Sequence, residues 1–124
     1  MTKSNSELKT ALIWTIALRL FYSAVGAMLA PYLKLNPALI RSNDLTENLM
    51  PREAGWLYRL LGVWERFDTL WYLEIAQHGY ARADAVVFFP LYPALIRLLS
   101  VVFSPLTAAL IISSVAAFFV FWGF

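Results

Sequence analysis

Residues 85–124 carry one charged side chain, Arg97, in 40 positions. A soluble domain has about 25% charged residues, so a stretch of this length calls for an apolar surrounding. It is also too long for one membrane crossing, which takes about 20 residues. Ser104-Pro105 divides it, and the pair reads as a tight hairpin between two spans, 86–103 and 106–124. Arg97 falls toward the cytosolic end of the first, where a long side chain snorkels to the headgroups. A third apolar run, 11–33, also has transmembrane length. The whole chain agrees, with 60% hydrophobic and 15% charged residues and a mean hydropathy of +0.63. The expected fold class is therefore an all-α integral membrane protein with about three transmembrane helices.

Composition also excludes several functions. The net charge is +2 and the basic residues are scattered, whereas a nucleic-acid surface clusters them on one face. There is no cysteine, hence no disulfide framework and no thiolate metal site. His78 is the only histidine. One histidine makes neither a metal centre nor a Ser/His/Asp triad. Its ability to titrate near neutrality is its one claim to a direct role.

Residues 1–10 form a short polar leader, read as cytosolic. Run 11–33 is too long for the apolar core of a signal peptide and contains Arg19. That arginine lies about 12 Å into the helix at 1.5 Å per residue. It could meet a substrate phosphate or an ion-pair partner in the bundle. The expectation is that its stem snorkels back to the cytosolic headgroups. Lys3 and Lys9 flank one end of this span, and Lys34 and Arg41 the other. The segment after it, 34–85, is long, and long loops translocate largely regardless of charge. The amino terminus is accordingly placed in the cytosol.

Loop 34–85 changes character along its length. Its first part is turn-rich, with Asn36-Pro37, Asn43-Asp44 and Met50-Pro51. From Gly55 onward Leu57, Leu60, Leu61, Trp64, Phe67, Trp71 and Ile75 recur at helical spacing, with Arg59, Arg66, Thr69 and Gln77 opposite. The pattern predicts amphipathic helices along the membrane surface, broken near Gly62, with tryptophans at headgroup depth. At about 100° per residue, Asp68 falls on the apolar face with Trp64, Trp71 and Ile75. A carboxylate buried there would have a raised pKa, as suits a general base or acid. Asp68 could equally be the N-cap of a helix from Thr69 to His78. Glu65 and Glu74 project from the sides of the face, solvated or paired.

Phe88-Phe89-Pro90-Leu91-Tyr92-Pro93 is an unusual helix start, since each proline removes a backbone donor. Both are tolerated if the helix begins near Pro90. A helix over 90–103 is then about 21 Å long, short of the roughly 30 Å core. Residues 86–89 should therefore enter in extended form, beside protein or a cavity. The expectation is an aromatic-lined cleft at the outer face, next to the Asp68 helix; the alternative is a short interfacial helix with an aromatic belt.

Between Trp64 and Pro93 the chain resembles the GPI mannosyltransferase 2 (PIG-V type) family and its bacterial relatives, multi-pass glycosyltransferases of the GT-C superfamily. Their pattern is approximately W-x-R-W-D-x-x-W-Y, then I-A-x-x-G-Y, then F-F-P-L-Y-P. Trp64, Arg66, Asp68, Trp71, Tyr72, Ile75, Ala76, Gly79, Tyr80 and all of 88–93 match. Phe67 stands where the family usually has tryptophan. The resemblance implies a polyprenyl-phosphate sugar as donor, transfer on the non-cytosolic face and inversion at the anomeric carbon. It implies Asp68 as the catalytic residue that acts as base or positions the acceptor hydroxyl. Arg66 is then the candidate for the donor phosphate, and Trp71, Tyr72, Tyr80, Phe89 and Tyr92 for substrate binding.

Family members are several times longer, so the chain corresponds to their amino-terminal part and is expected to have little or no activity alone. Its partners would be the lipid-linked donor, membrane lipids and the remaining carboxyl-terminal part, with no nucleic acid. No cofactor is evident, and metal dependence is left open. The location implied is a multi-pass protein of a bacterial plasma membrane, and the sugar mannose. The alternatives are a non-catalytic small membrane protein that binds a lipid or partner, and a nonfunctional gene remnant.

Overall fold

A computed structural model describes residues 5–29, 32, 55–65 and 68–123. The described residues are helical throughout their ordered elements. Helix α1 spans Asn5–Leu29, α2 Trp56–Leu61, α3 Asp68–His78, α4 Leu91–Leu99 and α5 Pro105–Gly123. Two 3₁₀ turns, Gly62–Trp64 and Ala83–Val87, lie before and after α3.

Helices α1 and α5 are long and apolar enough to cross a membrane. With 25 and 19 residues they measure about 37 and 28 Å at 1.5 Å per residue. Only 11% and 17% of their most apolar windows are buried in the protein. The core helix of a soluble domain would be mostly covered. Leu12, Ile13, Trp14, Ile16, Leu20 and Phe21 point outward from α1 instead. An outer apolar surface of this kind is compatible with a membrane protein. Thr10 and Thr15 return their hydroxyl hydrogens to the carbonyls of Ser6 and Ala11 (2.9 and 2.8 Å), which satisfies them within the helix. Helix α1 begins at Asn5, so residues 5–10, expected as a leader, are its first turns.

The expected amphipathic stretch does break at Gly62. Helix α2 ends there, and the 3₁₀ turn carries the chain to Glu65. Gly62 is buried, and a Cβ on it would meet the Tyr58 ring at 3.1 Å. Helix α3 then buries Leu73, Ile75 and Ala76. It ends at Gly79, whose φ of 73° allows its N–H to reach the Ile75 carbonyl at 2.8 Å. Only glycine adopts that left-handed cap readily.

Segment 86–103, expected as one span, is not one helix. Ala83–Val87 is a 3₁₀ turn, Phe88 is extended (φ −89°, ψ 130°), and α4 covers nine residues. At about 13.5 Å it is less than half the hydrocarbon thickness of about 30 Å. The prolines explain the late start. Pro90 is the N-cap, and Pro93 sits buried in the first turn, where a missing N–H has no cost. Helix α4 folds back on α5 through residues 100–104. Ser104 caps α5, accepting from the Thr107 N–H at 3.3 Å and bonding its hydroxyl at 2.8 Å, with Pro105 in the first position. The core lies at this corner, where Leu73 and Ala76 of α3 meet Ile96 of α4 and Leu106, Ala108 and Ala109 of α5.

Helix α1 packs along α5 and against the segment at 56–64. Its Gly26 is buried against Val63: a Cβ there would lie 2.3 Å from Val63 Cγ2. Along α5, Arg19 reaches Ser113 and Ser114.

Candidate functional site

Arg19 does not snorkel. Its Nε donates to Ser114 Oγ at 3.0 Å and its Nη2 to Ser113 Oγ. The guanidinium carbon lies 4.6 Å from the centre of the Trp64 ring. The cause is packing: a cation halfway along an apolar helix is stabilised most by nearby hydroxyls and a π-face, and α5 presents both serines at that level. Ser113 passes its own hydrogen to the Leu110 carbonyl at 3.2 Å, leaving its oxygen free to accept. Trp64 is fixed in turn, its indole N–H donating to Ser23 Oγ at 3.1 Å.

A half-open cleft of about 190 Å³ adjoins this cation. Besides Arg19 and Trp64, it is lined by Thr69, Tyr92, Leu110 and Ser113, among others. Tyr92 is held by a bond from its hydroxyl to the Ala109 carbonyl at 3.0 Å. From Tyr92 an array of rings leads outward. Tyr72 meets Tyr92 edge-on at 4.9 Å and Phe88 at 5.2 Å, and Phe88 stacks on Trp71 at 5.6 Å. Tyr80 donates to the Phe88 carbonyl at 2.7 Å. The Arg82 guanidinium lies 5.4 Å from the Trp71 ring centre. Each ring pair is worth about 0.5–1.5 kcal/mol beyond its buried area, so the array is a rigid wall.

No protein-family model, curated protein or solved structure matches this chain.

The functional argument therefore rests on the site itself. Of the residues expected to act, Trp71, Tyr72 and Tyr80 converge on Phe88, and Tyr92 joins them through Tyr72. Phe89 does not join them. It is 73% exposed, because the extended Phe88 turns successive side chains to opposite sides. Arg66 and Phe67 lie outside the described residues, as does 33–54 of the loop.

Asp68 corrects the helical-wheel reading. It is exposed, in the first turn of α3, rather than on a buried face. The wheel ran through Trp64, Asp68, Trp71 and Ile75 as one helix, but Trp64 lies in the 3₁₀ turn and α3 begins at Asp68, so the carboxylate sits at the exposed end of the helix. Thr69, placed on the polar side, lines the cleft. Glu65, expected at the side of the face, is buried at 3% exposure and partnered. His78 Nδ1 lies 3.1 Å from Glu74 Oε1, with the imidazole 55% exposed, away from the cleft lining. Among the described residues no three His, Cys, Asp or Glu side chains converge as metal ligands.

Sequence reasoning missed Phe88, the hub of the array, and the two serines. Ser113-Ser114 was the available signal: adjacent hydroxyls inside a 19-residue apolar helix need a polar neighbour, and Arg19 was the nearest unassigned one.

Proposed function

We propose that this chain is the acid-bearing amino-terminal portion of a membrane glycosyltransferase. It would move mannose from a polyprenyl-phosphate carrier to an acceptor on the non-cytosolic face. The observation that carries this reading is the cleft: a cation, hydroxyls and an aromatic wall meet at Thr69, one residue from Asp68. In the reaction implied by the resemblance, Asp68 takes the proton of the acceptor hydroxyl. The freed oxygen attacks the anomeric carbon, and the bond from that carbon to the phosphate oxygen breaks. The departing phosphate needs positive charge, for which Arg66 is the matched residue. An exposed Asp68 suits this role only once an acceptor covers it, because a base works within about 3 Å of its proton.

The test is transfer in membranes from a polyprenyl-phosphate mannose donor. It compares this chain alone with this chain followed by the downstream sequence of its locus. Activity is expected in the longer form, and Asp68→Asn should lower it by about 10²–10⁴-fold, the usual worth of a general base. Unchanged transfer in the Asn variant would sink the proposal. The exposure of Asp68 favours a second reading, a non-catalytic protein that binds a lipid or partner through the aromatic wall. In that case the Asn variant would bind as well as the parent, and no transfer would be seen in either form.

A further inference from the structure

The Arg19 guanidinium has five N–H donors. Two go to Ser114 and Ser113, and its face rests on Trp64. Among the described residues these contacts include no carboxylate. A cation whose contacts among the described residues are all neutral, between two helices of membrane length, is costly to keep charged. Arginine cannot shed its proton to escape that cost. An anion in the adjoining cleft would remove the penalty. The cleft volume of about 190 Å³ is several times the roughly 30 Å³ share of a water. It opens beside Arg19 between Thr69, Tyr92 and Leu110.

We propose that Arg19, with Ser113, Ser114, Thr69 and Tyr92 around it, forms a binding site for a phosphate oxyanion. The remaining guanidinium N–H groups offer the paired donors that phosphate accepts. The Thr69 hydroxyl adds a donor, while Ser113 and Tyr92, whose hydrogens go to the Leu110 and Ala109 carbonyls, shape the site and hold the guanidinium in place, and Leu110 and the Trp64 ring exclude water from one side. A lipid headgroup and free phosphate present the same oxyanion to this site, and the two arms of the experiment distinguish them. The site is the cleft on which the transferase reading rests, but its test reads retained phosphate and not transfer, so the failure of one is distinguishable from the failure of the other.

The experiment uses the full chain in nanodiscs of phosphatidylcholine with and without phosphatidic acid, and native mass spectrometry to count retained lipid. A second arm titrates the same chain with inorganic phosphate. Retention of phosphatidic acid over phosphatidylcholine is expected, weakened on the order of ten- to a hundredfold in Arg19→Gln, the loss of a charge-assisted bond. Retention of lipid phosphate alone assigns a lipid source. Binding of inorganic phosphate as well shows that the headgroup suffices. If Arg19→Gln fails to insert, Leu110→Phe, which fills the cleft and leaves Arg19 in place, decides instead by the same loss. Equal retention in the parent and either variant, or no preference for phosphate in either arm, overturns the site.

Discussion

Asp68 and Ser104 are both small polar residues at helix starts, and they differ in what surrounds them. Asp68 is exposed in the first turn of α3. A negative charge there is favoured by the helix dipole by about 0.3–1 kcal/mol. Asp68→Asn should therefore lower stability by under about 1 kcal/mol, with unchanged helicity by circular dichroism. A larger loss would mean that Asp68 holds a partner inside the structure, and would confound any loss of transfer. Ser104 makes two bonds to Thr107 at the head of α5. Ser104→Ala should cost about 1 kcal/mol, and Ser104→Asp should restore most of it. Thermal unfolding in detergent measures both. Asp68 shows the limit of a helical wheel: its position in sequence was legible, but its exposure depended on the helix beginning at that residue.

At the scale of elements, Pro90-Leu91-Tyr92-Pro93 explains why α4 is short. The prolines set where the helix starts, and the turn at 100–104 sets where it stops. What the sequence did not reveal is which way Tyr92 would point. Its hydroxyl bonds the Ala109 carbonyl and its ring meets Tyr72, so α3, α4 and α5 share one aromatic seam. Tyr92→Phe keeps the ring contacts and removes the hydroxyl bond. It should cost about 0.5–1.5 kcal/mol. Tyr92→Ala also removes the ring and should cost several times more. Equal losses in the two variants would show that the hydroxyl, and not the seam, holds α4.

At the scale of the molecule, the attachments of α1 include Gly26 against Val63, and Arg19 against Ser113 and Ser114. The first is steric. Gly26→Val would drive a side chain into Val63 and should destabilise by about 1–3 kcal/mol, as overpacking does. Adding Val63→Ala should recover part of the loss, since residues in contact couple. A double variant as unstable as the sum of the singles would break the assignment. The second attachment is polar, and Arg19→Gln tests it together with the phosphate site.

The apolar runs alone determined that the chain is helical and carries helices of membrane length, because burying so little charge leaves few other solutions. The proline pairs and Ser104 determined where helices begin, since capping and the missing N–H act within one turn. Only the tertiary structure decided what α1 packs against. It also decided that Arg19 turns inward to the serines of α5, and that Thr69 rather than Asp68 lines the cleft. These depend on side chains about 40 to 95 positions apart, and on where α3 begins after the turn at 62–64. Local periodicity carries no information about either.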